Sequence, residues 1–222
     1  MHSELTQTVI QNVNILNTFL LLTAIMAVVF RRIRSQITAY FFQSVALALI
    51  CVEMGRGLGN GHLYVAAALT FAAKCVLIPL FLFYISRKTM VVKDGEKFFK
   101  IPTALLISGI LIIFSFYILQ PVSVKAGLLT KASLNTSLSL ILIGLFLMIN
   151  RTFALTQIMG ILIIENGLFL AGIATTCGMP LIVELGAFFD VIVGVVLMGV
   201  MTNKISRSFE SLDTEKLNLL KY

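Results

Sequence analysis

The chain has 222 residues, 59% of them hydrophobic and only 12% charged, with a mean hydropathy of +1.00. A soluble domain carries roughly 25% charged residues, so about half of the usual solvating surface is missing and a soluble fold is excluded. The net charge of +7 sits mostly in turns between apolar runs, a pattern unlike a nucleic-acid-binding face.

Seven apolar runs fall at 9–30, 37–57, 62–86, 101–119, 132–149, 152–175 and 180–203. Each is near the ~20 residues that a spanning helix needs, and the alternating pattern of a membrane barrel is absent. The expected fold is all-α, a polytopic bundle of about seven transmembrane helices. The first run carries its charges after the apolar stretch ("AVVFRRIRSQ"), with no small-residue cleavage site behind them, and reads as a retained helix. With the amino terminus outside, the cytoplasmic segments hold thirteen basic residues and the opposite side holds Arg56, Lys125 and Lys131. That asymmetry fits an odd number of spans and a cytoplasmic carboxy terminus.

Along the chain, Glu53 and Arg56 stand three residues apart at the outer end of the second run, where an interfacial ion pair is expected. "GRGLGNGH", starting at residue 55, lacks the Lys-Ser/Thr of a phosphate loop and reads as a flexible turn. In the third run Lys74 precedes Pro79 by five residues. Proline cannot donate to the carbonyl of Cys75, so a kink and a free acceptor are expected beside the ammonium group. In the fifth run Asn135, Ser137 and Ser139 give a polar face expected to be poorly satisfied within an isolated bundle. The sixth run places Glu165, Asn166 and Gly167 in mid-helix, with Gly160 five residues earlier. The last run begins with Glu184 after Pro180, where the helix dipole favours an acid. It continues to Asp190, flanked by Gly186 and Gly194 on one face, as in a close helix–helix contact.

Lys74, Glu165 and Asp190 fall near helix centres, where each costs roughly 2.5–3.5 kcal/mol on insertion scales. A lysine and two acids at one depth read as a proton relay, with Glu53, Glu184 and Asn166 as possible additional members. The alternatives are a structural hydrogen bond for Asp190, a snorkelling Lys74, and an ordinary first-turn acid for Glu184. The segments 31–86 and 151–203 also resemble each other weakly as a repeat, with Lys74 at the place of Asp190. Cys51, Cys75 and Cys177 occur singly, as core residues do, and neither His2 nor His62 has a partner in sequence. No pattern that would hold a metal, haem, flavin or iron–sulfur cluster is present. No cofactor is expected in this chain, nor catalysis by the chain alone.

"RTFALTQIMGILIIENGLFLAGIA", "VELGAFFDVIVGVVLMG", "FAAKCVLIPLFLFYISRK" and "FFQSVALALI" together resemble the membrane component E family of hydrogenase-4-type complexes over nearly the whole chain. The three runs in 132–203 are also similar to the K subunit of respiratory complex I and the C subunit of Mrp-type antiporters. Those subunits carry one carboxylate on each of their last two helices. Asp190 matches the second. Aligned on Asn166 the first falls at Leu162, and Glu165 lies about one turn, roughly 5 Å, further along.

The resemblance implies residues 1–119 as an amino-terminal part (a possible repeat triplet at 9–86 and a linker helix at 101–119). It implies a K-like unit at 132–203 and a cytoplasmic tail at 204–222. It further implies a non-catalytic subunit in the membrane arm of an energy-converting [NiFe]-hydrogenase or formate-hydrogenlyase-like complex in a bacterial or archaeal plasma membrane. The subunit would contribute to proton translocation. Its partners would be antiporter-like membrane subunits, lipids and, indirectly, the peripheral hydrogenase arm. An Mrp-type cation/proton antiporter component and a structural spacer are the alternative readings. The charge asymmetry makes one direct prediction: a cysteine at Gly95 should react with impermeant maleimide only after the cytoplasmic face is opened. Labelling in intact cells would reverse the topology.

Overall fold

The computed structural model describes residues 2–59, 61–88, 99–123, 128–151 and 154–176. The seventh run, with Glu184 and Asp190, lies outside the described residues, as do Cys177 and the tail. The elements are α1 (His2–Val29), α2 (Ile33–Leu58), α3 (Gly61–Thr70), a π-helical segment (Phe71–Leu77), α4 (Ile78–Lys88), α5 (Ile101–Ile118), a short α6 (Gln120–Ser123), α7 (Leu128–Asn150) and α8 (Ala154–Thr176). α3, the π segment and α4 run as one rod, so six helices among the described residues are long and apolar enough to cross a membrane. The chain is an all-helical membrane protein in those residues.

Sequence chemistry sets the boundaries. α5 starts after an extended Lys100 with proline in its first positions, where the missing N–H costs nothing. α2 ends at Gly59, whose φ of 64° is left-handed and whose N–H returns to the Gly55 carbonyl. The expected flexible turn at "GRGLGNGH" is therefore corrected: residues 55–58 continue α2, and α3 begins at Gly61. The helix runs through Gly55 and Gly57 and ends at Gly59, where the missing Cβ permits the left-handed reversing conformation.

In the bundle, α1 packs on α2 and α7, and α7 pairs along its length with α8. The α3–π–α4 rod flanks α2, and α5 flanks α7 and α1. Burial follows this order, from 67% of the α8 span to 17% of α5. Three glycines bring α7 and α8 into backbone contact. A Cβ on Gly144 would lie 2.7 Å from the Gly160 carbonyl oxygen, one on Gly160 2.8 Å from the Gly144 oxygen, and one on Gly167 2.8 Å from the Ser137 oxygen. Since Gly167 faces α7, Glu165 two residues earlier points to the far side of α8, about 200° around the helix.

The buried polar groups are mostly tied within this frame. Asn17 Nδ2 donates to Ser133 Oγ at 3.2 Å, joining α1 to α7, and Ser115 Oγ donates to the Asn135 carbonyl at 2.8 Å, joining α5 to α7. Ser137 and Ser139 donate to carbonyls of their own helix, so the poor satisfaction expected there applies to Asn135 Oδ1 alone of the three side chains. Arg151, counted among the charges of the turns, is instead buried. Its guanidinium donates to the carbonyls of Val28 (3.1 Å) and Phe30 (2.7 Å), closing the carboxy-terminal end of α1.

The glycine contact yields a paired prediction. Gly160→Ala should lower stability by about 1–3 kcal/mol through overpacking. Gly109→Ala, with nothing within 4 Å of the new Cβ, should raise it by roughly 0.5–1 kcal/mol. Thermal unfolding of the two variants in detergent checks both signs.

Candidate functional site

The π segment carries Lys74 at its centre. Over Phe71–Leu77 the hydrogen bonding widens by one residue, and the Ile78 N–H donates to the Ala73 carbonyl five residues back. Pro79 follows after Ile78, and in a straight α-helix its ring would clash with the Cys75 carbonyl, which favours the wider turn. The sequence reading expected a kink and a free carbonyl at Cys75. The structure shows a π-helical widening at this place, and Lys74 is presented from the widened turn.

Lys74 points inward and is 1% exposed. Its Nζ lies 3.2 Å from Glu165 Oε1, donates to Asn166 Oδ1 at 3.2 Å, and stands 5.1 Å from the centroid of the Phe169 ring. Glu165 and Phe169 are one α8 turn apart, so carboxylate and ring approach the ammonium from the same helix face. Asn166, fully buried, uses its other end to donate from Nδ2 to Gln43 Oε1 of α2 at 3.4 Å. One cation, one carboxylate and two amides from three parts of the bundle thus meet near mid-membrane.

The energetics are nearly balanced. Two charges at helix centres cost about 5–7 kcal/mol together on insertion scales. At 3.2 Å and an effective dielectric near 20 their attraction returns about 5 kcal/mol. The Asn166 hydrogen bond and the cation–π contact, worth about 2 kcal/mol when desolvated, tip the balance toward holding the pair.

Of the residues singled out in the sequence, Lys74, Glu165 and Asn166 come together. Glu53 does not. It pairs with Arg56 at 3.2 Å near the end of α2, about 15 Å along the helix from Gln43. Glu184 and Asp190 lie outside the described residues, so the Lys74–Asp190 correspondence has no structural counterpart to report. Leu162, where the resemblance to K-type subunits leads one to expect their first carboxylate, is fully buried one turn from Glu165. Gln43 and Phe169 were missed. Gln43 was legible as an amide inside an apolar run, whereas Phe169 carried no signal of its own. Cys51 and Cys75 are buried core residues, as expected.

The pair should behave as a unit. Lys74→Met strands a buried carboxylate and should cost about 3–5 kcal/mol. The double variant Lys74→Met/Glu165→Gln should recover most of it, because neither charge remains. Unfolding of both variants in mixed micelles checks this. A double variant no more stable than Lys74→Met would show that the two side chains are not energetically coupled.

No protein-family model matches the chain, and no solved structure matches it. Curated relatives do. An uncharacterized protein of Mycobacterium tuberculosis is 29% identical over 91% of this chain and 92% of its own length. Hydrogenase-4 component E of Escherichia coli K12 is 26% identical over 94% of this chain and 97% of its own, and so is the component E of Shigella flexneri. With this coverage, the chain is a homologue of hydrogenase-4 component E along nearly all of its length.

Proposed function

We propose that this protein is a non-catalytic subunit in the membrane arm of an energy-converting, hydrogenase-type complex, and that its buried Lys74–Glu165 pair takes part in proton translocation. The homology supports a membrane subunit of a hydrogenase-type complex. The observation that carries the finer reading is the ion pair itself. It is buried at mid-membrane, where an apolar pair would pack at lower cost.

In this role Glu165 is the carboxylate that takes up and releases the proton. Lys74 is the counter-charge that holds Glu165 ionised between events, and Asn166 fixes the ammonium against it. When a proton arrives on Glu165 the attraction is lost, and Lys74 becomes free to answer another acid, of which Asp190 is the candidate within this chain. Neighbouring antiporter-like subunits would supply the rest of the path, and electron transfer would stay in peripheral subunits. The same chemistry would serve a cation/proton antiporter without a redox partner. Nickel and iron retained in the purified native complex separate the hydrogenase reading from that one.

The test is Glu165→Gln in the assembled complex. The amide keeps shape and hydrogen bonding but cannot titrate. Electron-transfer turnover should persist or slow, while protons moved per turnover should fall by about tenfold or more, as when a positioned proton-transfer group is removed. Lys74→Arg should recover less than wild type, since arginine holds its proton at working pH. Full proton stoichiometry in an intact Glu165→Gln complex would leave this subunit a structural spacer.

A further inference from the structure

α2 has one fully buried face along its length, and the chemistry of that face changes at mid-membrane. Gln36, Tyr40, Gln43 and Ser44 recur at helical spacing, each at most 1% exposed, with the buried Ile33 and Ile37 beside them on the same stripe. Beyond them the same face continues as Leu47, Ile50, Cys51 and Met54, all at most 2% exposed and all apolar. The polar half starts at the arginine-bearing turn before α2. It stops at Gln43, which accepts the hydrogen bond from Asn166 and so touches the Lys74–Glu165 cluster. From Gln36 to Gln43 it covers about 10 Å of helix rise.

Packing does not account for this division, because the apolar half of the same face packs without any polar group. Buried amides and hydroxyls need partners, and two here lack them within the protein: Gln43 Nε2 and Ser44 Oγ have no hydrogen-bond partner among the described residues. They flank the point where the polar face reaches the ion pair. Groups of this kind are completed by buried water.

We propose that the Gln36–Tyr40–Gln43–Ser44 face of α2 is a water-assisted proton access route from the arginine-bearing side of the membrane to the Lys74–Glu165 pair, with the Tyr40 phenol as its protic relay. The inference rests on the proton-translocation reading above and adds to it a route, a side and a positioning set. The amides of Gln36 and Gln43 hold water in line and carry no proton themselves. A proton reaching Tyr40 is accepted on the phenol oxygen as the phenol's own proton leaves to the next water, so the tyrosine is unchanged. The proton ends on Glu165. At the arginine-bearing end the Phe30 carbonyl accepts from both Gln36 (3.1 Å) and Arg151 (2.7 Å). The Arg151 charge there is directed at the negative end of α1, which moderates its repulsion of an incoming proton.

Two measurements on the intact complex test the route. The first reads access without reference to pumping. With native cysteines replaced, single cysteines at Gln36, Tyr40 and Gln43 should react with silver ion supplied from the arginine-bearing side, and cysteines at Leu47, Ile50 and Met54 should not. The second is Tyr40→Phe, which should assemble normally and lower protons moved per turnover severalfold while leaving the apolar packing unchanged. Silence at Tyr40 and Gln43, or equal reaction at Ile50, overturns the route even if Glu165→Gln abolishes pumping. Wild-type proton stoichiometry in Tyr40→Phe overturns it likewise. Reactive cysteines together with a fully pumping Glu165→Gln variant would mean a wet path that serves no relay, and both readings would fall.

Discussion

A charge in the middle of a membrane helix must be held by something, and in this protein that constraint organises the centre of the bundle. Lys74 lies far from Glu165 in the chain, 92 residues before the neighbouring Asn166. Facing lipid, each charge would cost its helix roughly 2.5–3.5 kcal/mol. Their meeting turns two separate penalties into one nearly neutral arrangement, and it fixes how the α3–π–α4 rod must turn relative to α8. Gln43 of α2 reaches the same point through Asn166, so the rod, α8 and α2 are registered by polar contacts at a single depth. Elsewhere in these helices apolar contacts alone would allow sliding. Directional hydrogen bonds at the centre do not.

Two backbone features make that meeting possible, and they act from opposite sides. On α8, Gly160 and Gly167 press the helix against α7, which leaves Glu165 on the face turned away from that contact. On the other side, the π segment changes the angular position of Lys74 relative to the residues that follow Pro79. In an uninterrupted α-helix the apolar residues of α4 and the ammonium of Lys74 would be set at a different relative angle around the rod. The proline thus coincides with a change of helical register next to Lys74. A widened turn is also the least tightly hydrogen-bonded part of such a rod, and the titratable cation is located in it.

Much of this was legible in the sequence because membrane helices leave few places for a charge. Hydropathy located all six described spans to within a few residues, and the cost of insertion singled out Lys74 and Glu165, together with Asp190 outside the described residues, while Asn166 stood beside the acid as a possible additional member. Other features were hidden for physical reasons. Phe169 is one aromatic among many in an apolar run, and only the three-dimensional approach of an ammonium distinguishes it. Arg151 looked like one more turn residue, since nothing local shows that it reaches the carbonyls of a helix more than a hundred residues earlier. The π register was half visible: Pro79 announced a disturbance, but a kink and a widening solve the same missing donor. The glycines at 160 and 167 stood out beside Glu165 as parts of a polar spot, whereas they serve the opposite face of the helix.

The division of α2 into a polar and an apolar half connects these points. A buried ion pair with equal access to both sides of a membrane would leak, and one with access to neither could not exchange a proton at all. Here the hydrogen-bonding groups that could hold water lie on one side of the pair along α2, and Leu47, Ile50 and Met54 close the other side of the same face. Under the proposed role, exchange toward the far side must then use a different helix face or a different subunit, and must depend on Lys74 leaving Glu165. The near-balance between insertion cost and Coulomb attraction sets how readily that happens. If the attraction greatly exceeded the cost, the pair would be a permanent rivet. A much smaller attraction would never have kept the charges together. The weak ring and amide contacts around Lys74 are therefore the terms that decide whether the pair is structural or able to move, and they are contributed by Phe169 and Asn166, on the same helix as the acid.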